Sequence, residues 1–141
     1  MNLVVDASVA AKWLFVEPDT EKARAIFDLG KSGELQLLAP EILPAEIANS
    51  LWKRTQRGDL DRVSALRLFD GFQKLEFKLC KVQELMGSAL SIAFRHHHPV
   101  YDCLYVVLAR REGCDLVTAD ERLYRAFAQD FPWVHLLRNL S

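Results

Sequence analysis

Four acidic residues, Asp6, Glu46, Asp102 and Asp120, occupy positions from which their carboxylates could gather. Asp6 ends the apolar run Leu3-Val4-Val5 and leads into the helix-forming stretch Ala7-Ser8-Val9-Ala10-Ala11. A buried strand that gives way to a helix at an acidic residue is how open α/β sheets build sites along their carboxyl edge. Asp120 follows a second such run, Leu116-Val117-Thr118, and Asp102 opens a helix that is apolar nearly all round. Glu46 lies in the first turn of a helix whose polar stripe, Glu46, Asn49, Ser50, Lys53 and Arg57, recurs at three- and four-residue steps. Each acid taken singly has a plain structural role: Asp102 and Asp120 are good helix N-caps, and Glu46 suits the positive end of a helix dipole. Together they imply more, because like charges in a partly dry crevice cannot all stay ionised without a counter-charge. An all-oxygen set without His or Cys at zinc spacing suits Mg²⁺ or Mn²⁺, and such ions activate water for in-line phosphodiester displacement. The hydroxyls of Ser8 and Thr118 stand where they could orient a carboxylate or a water.

Phosphate must be gripped by local charge, because the formal net charge of -1 excludes a globally basic binder of nucleic acid. Lys12, Lys53, Arg54, Arg57, Arg95 and Arg122 lie on helices beside the expected crevice and could form a basic rim. The run His96-His97-His98 reads as a solvated helix end favoured by the negative dipole there, rather than as a ligand set.

The elements that must position these residues follow from hydrophobic period and from Gly and Pro punctuation. A strand to Val5 precedes a helix over about 7–15, and a second helix covers 20–31. A strand over 35–39 precedes a helix over about 41–56 with Pro44 in its first turn. A helix over 61–74 is capped by Asp61, and a strand covers 77–80. Helices over 83–94 and 101–111 lead to a strand over 115–118, a helix over 120–129 and a last strand over 134–137. Strands alternating with helices, without hairpin signals, predict a three-layer α/β/α fold around a mainly parallel sheet. With 141 residues, 50 % of them hydrophobic, the expectation is one domain over 1–141. Cys80, Cys103 and Cys114 are odd in number, lack a CxxC pattern and sit in apolar context, which predicts reduced thiols and a cytoplasmic protein. Neither a secretion signal nor a membrane helix is expected.

Four segments, in order, resemble the PIN-domain nucleases: Val4-Val5-Asp6-Ala7-Ser8-Val9, Pro44-Ala45-Glu46-Ile47-Ala48-Asn49, Tyr101-Asp102-Cys103-Leu104-Tyr105 and Leu116-Val117-Thr118-Ala119-Asp120-Glu121-Arg122-Leu123. The resemblance spans essentially the whole chain and is nearest to VapC-type ribonuclease toxins of toxin–antitoxin modules. It implies a metal-dependent endoribonuclease whose acidic quartet falls on Asp6, Glu46, Asp102 and Asp120. Thr118 matches the hydroxyl position of the last motif, and Asn49 a polar position after the helical Glu. It also implies a homodimer, a VapB-type antitoxin laid over the active site, and a tRNA or ribosomal RNA target. Two other readings share these residues: a PIN-like module that binds RNA or protein without cutting, and an RNA-processing nuclease outside toxin–antitoxin systems. A haloacid-dehalogenase-type phosphatase needs a second Asp two residues after the first, where this chain has Ser8.

Overall fold

A computed structural model describes residues 1–141. Five strands, β1 (Asn2–Val5), β2 (Gln36–Pro40), β3 (Lys78–Cys80), β4 (Asp115–Thr118) and β5 (Val134–Leu136), form one sheet in the order β3-β2-β1-β4-β5. All four pairings are parallel, so the sheet expected to be mainly parallel is wholly so. The chain builds outward from β1 through β2 to β3 on one side and through β4 to β5 on the other. The order therefore reverses between β1 and β4, which is where open α/β sheets place their crevice. Asp6 and Asp120 follow these two strands.

Side chains alternate across a strand. Val4, Leu38 and Leu116 accordingly face the larger core, and Val5, Leu37 and Val117 the smaller one. Helices α3 (Leu43–Gln56), α5 (Met86–His96) and α6 (Val100–Glu112) cover the first face, while Ala23 and Ile26 of α2 (Thr20–Ser32) cover the second. This is the expected three-layer arrangement. Helix α6 is buried without a break from Cys103 to Ala109, as its all-round apolar sequence requires, and packs on β1, β2 and β4. Helix α4 (Arg62–Gln73) starts at the expected cap, where Asp61 Oδ1 accepts the Ser64 N–H at 2.8 Å. All three cysteines are free, with Cys80 and Cys103 buried and Cys114 half-buried.

Two expected helices are each divided. After Asp6, α1 spans only Ala7–Ala10 and tightens into a 3-10 turn at Ala11–Trp13. The Trp13 indole N–H donates to Ala23 O at 2.8 Å, which draws the end of this helix toward α2. Likewise a 3-10 turn at Gln83–Leu85 precedes α5. Helix α7 is shorter than expected, Glu121–Phe127. The histidine run is not a solvated end. Only His97, the left-handed residue closing α5 at φ 51°, is exposed, whereas the His96 and His98 rings are buried against Phe127. An aromatic cluster from a distant segment, Phe127 and Phe131, covers a corner that the polarity of histidine alone would have left to water.

Candidate active site

Asp6 leaves the carboxyl end of β1 with its N–H on Val117 O at 3.1 Å, which fixes it between the two central strands. The residue is only 4 % exposed. Ser8 Oγ–H and Thr118 Oγ1–H both donate to its Oδ2, at 2.6 and 2.8 Å. The two hydroxyls are themselves held, since Ser8 Oγ accepts the Ala119 N–H at 2.9 Å and Thr118 Oγ1 accepts the Asp120 N–H at 3.0 Å. This small network ties the β1–α1 and β4–α7 turns together. It exists because a buried carboxylate needs donors.

Glu46 projects from the first turn of α3, where its Oε1 accepts the phenolic hydrogen of Tyr105 at 2.6 Å. Tyr105 is fully buried on α6, three residues after Asp102, so the two lie near one face of that helix. Asp102 is partly exposed in the first turn of α6, and its Oδ2 lies 2.7 Å from His98 Nε2. Burial pushes the Asp6 carboxyl above its usual range, and the negative charge of Asp102 adds to this against the pull of the two hydroxyls. Burial likewise raises Glu46 to about 7, reinforced by the charges of Asp6 and Asp102 and opposed by the Tyr105 hydrogen bond. The phenol of Tyr105 is driven far above its ordinary range by burial and by Asp6 and Glu46, so it stays a donor at any working pH.

The structure thus brings Asp6, Glu46 and Asp102 into one electrostatic neighbourhood. Asp120 adjoins it by a different route. Its Oδ1 caps α7 by accepting the Arg122 and Leu123 N–H groups at 2.8 and 3.4 Å, while its own N–H rests on Thr118. Asn49 and Lys53 line a shallow cavity of about 290 Å³ with Ser8, Ala11 and Glu46. Lys12 is buried and pairs with Glu17 at 3.5 Å, sharing that carboxylate with Arg54 at 2.6 Å. Arg57 is exposed at the end of α3, 3.4 Å from Asp59. Arg95 and Arg122 are also exposed.

No Lys or Arg forms an ion pair with Asp6, Glu46, Asp102 or Asp120. A partly buried, all-oxygen cluster that no Lys or Arg neutralises suits a hard divalent cation. The acids do not close into a cage of three or more ligands. Mg²⁺ has no need of one, since it is commonly held by one or two carboxylates with water and substrate phosphate filling the other positions.

Sequence reasoning missed Tyr105 and His98. Tyr105 carried a signal: it is the one polar-tipped side chain in an otherwise apolar helical run, and a buried phenol requires a partner.

The fold is that of a known class. Residues 3–128 match the PIN domain, and the chain belongs to that family. Within it, the chain is 36 % identical over 131 residues to ribonuclease VapC3 of Pyrobaculum aerophilum, covering 90 % of this chain and 95 % of the relative. It is 30 % identical over 125 residues to ribonuclease VapC9 of Mycobacterium tuberculosis, covering 86 % and 87 %. Among solved structures it superposes on VapBC2 of Rickettsia felis, bound to a DNA fragment from the promoter, with a TM-score of 0.66 and 13 % identity over 96 % of this chain and 97 % of that one.

Proposed function

We propose that this chain is a metal-dependent endoribonuclease of the VapC type, the toxin of a toxin–antitoxin pair, which hydrolyses RNA at the Asp6, Glu46 and Asp102 cluster. The observation that carries the reading is that Asp6 after β1, Glu46 on α3 and Asp102 on α6 lie near enough for their charges to raise the proton affinity of Asp6 and Glu46, with none of the three paired to Lys or Arg. The VapC ribonucleases among its relatives support the same reaction.

Asp6, Asp102 and Glu46 would hold Mg²⁺ or Mn²⁺, one or two of them directly and the rest through water, with Asp120 completing its surroundings. When bound, such an ion supplies Lewis-acid stabilisation of charge on phosphate oxygens and lowers the pKa of water. Ser8 and Thr118 donate to Asp6 and Tyr105 donates to Glu46, which holds these two carboxylates in fixed orientations. Lys53 on α3 and Arg57 just past its end meet backbone phosphates, with Lys12 adding positive charge, and Asn49 on the same helix as Glu46 offers a polar contact to the nucleotide. In the reaction, water oxygen bonds to phosphorus, the bond from phosphorus to the 3′ oxygen breaks, and that oxygen takes up a proton. The products are a 5′-phosphate and a 3′-hydroxyl.

The partners of this reading are a tRNA or ribosomal RNA substrate, a second copy of the chain as homodimer, and a VapB-type antitoxin. The VapBC2 neighbour supports the last. The reading places the protein in the cytoplasm with its RNA. The chemistry of the cut ends tests it. Incubation of an RNA pool with Mg²⁺ should give fragments that a 5′-phosphate-dependent ligase joins, and EDTA should abolish them. Fragments ending in 2′,3′-cyclic phosphate, or cutting that persists in EDTA, would overturn the mechanism.

A further inference from the structure

We infer that His98 is a positioning residue for Asp102, holding one oxygen of that carboxylate so that the other faces the crevice. The inference rests on reading the acidic cluster as a cation site. Each of the other two members has a dedicated donor: Ser8 and Thr118 for Asp6, Tyr105 for Glu46. Asp102 has one side-chain partner, and it is His98, with Nε2 2.7 Å from Oδ2. A carboxylate can only accept, so His98 Nε2 carries the hydrogen.

The ring is built to stay in place. His98 occupies the short connection between α5 and α6, where its N–H donates to Ala93 O at 3.2 Å. Pro99 follows and restricts the His98 backbone to extended conformations. The side chain is 7 % exposed and meets the Phe127 ring edge-on, with centroids 5.1 Å apart. The imidazole therefore approaches Asp102 from the protein side with little freedom to turn. Donors that orient ligand groups in this way commonly set metal affinity, and losing one typically weakens it by about 10- to 100-fold.

The pair also has a purely architectural explanation, as a bond across the start of α6, and the test must separate the two. Gln carries an amide N–H at about the reach of Nε2, whereas Met fills similar space without a donor. Mn²⁺ affinity of the full chain, measured by calorimetry for wild type, His98→Gln, His98→Met and Asp102→Asn, with melting of each in EDTA, makes the distinction. His98→Gln should bind Mn²⁺ close to wild type, and His98→Met should bind about tenfold more weakly or worse. If His98→Met fails to fold, His98→Asn replaces it, because its amide ends short of Asp102 and the same loss is expected. Wild-type affinity in the donor-less variant, or equal weakening in the Gln and donor-less variants, would overturn the inference. Wild-type affinity in Asp102→Asn, or no Mn²⁺ binding by the wild type, would instead overturn the cation reading on which it rests.

Discussion

Tyr105 and Glu46, 59 residues apart in sequence, are joined by a 2.6 Å hydrogen bond from phenol to carboxylate at the point where α6 passes α3. Tyr105 is fully buried, so its phenol is shielded from bulk water even though Glu46 is only half-buried. It fixes the rotamer of the one acid in the cluster that comes from α3.

Replacing Tyr105 by Phe deletes this donor and leaves the packing shape. A hydrogen bond to a charged group is worth about 1.5–3 kcal/mol, so Tyr105→Phe should weaken Mn²⁺ binding by roughly 10- to 100-fold while keeping the fold. Calorimetric titration checks this. A variant with wild-type affinity would show that Glu46 needs no such support.

Thr118→Val is the matching change at Asp6. Thr118 is fully buried and Val is close to it in shape, so the main loss is the 2.8 Å bond to Oδ2 and the support of the Asp120 N–H. The proton affinity of Asp6 should rise further, because burial dominates there and one opposing donor is gone. RNA cutting should fall by about tenfold at neutral pH and recover partly at higher pH, as measured in a rate–pH profile. An unchanged rate at every pH would count against the network.

The metal-free protein should show a stability–pH dependence traceable to Glu46. Its carboxyl stands at about 7 in the fold against an ordinary value of 4.5, so between those two values the folded chain binds a proton that the unfolded chain has released. This contribution to stability is fully present below about 4.5 and is lost as pH rises through about 7. In EDTA, the melting temperature of wild type relative to Glu46→Gln should therefore fall over that window and level off above it. A constant difference across the window would exclude a raised Glu46.

Lys53 and Arg57 should show themselves through salt. Each phosphate contact to single-stranded RNA contributes about 0.7 to the slope of log affinity against log salt, so Lys53→Ala and Arg57→Ala should each flatten the salt dependence of kcat/KM by about that amount. Lys12, already paired with Glu17, should contribute a smaller share. Slopes identical to wild type would remove these residues from the RNA path.

What the sequence discloses here and what it withholds have separate causes. The ends of β1 and β4, the parallel sheet and the buried α6 are legible because apolar runs record burial along the chain itself. That is why Asp6 is found just past the end of β1, Thr118 at the end of β4 and Asp102 in the first turn of α6. The Tyr105–Glu46 bond depends on how closely α3 approaches α6, which no local pattern encodes. The His98–Asp102 pair depends on a corner buried by Phe127 from a later helix, so a run of polar rings is misread as a solvated end. The division after Ala10 depends on the reach of Trp13 to Ala23. In each case the missing information is a contact between segments distant in sequence.

The most direct test of the central claim is cleavage of a total-RNA pool by purified, antitoxin-free protein with Mg²⁺ or Mn²⁺, run beside Asp6→Asn and Asp102→Asn. Each change removes a charge and little volume, so both variants should fold. The account predicts discrete cuts by the wild type that vanish in EDTA and fall by orders of magnitude in both variants. Cutting at the wild-type rate by folded Asp102→Asn or Asp6→Asn would contradict it.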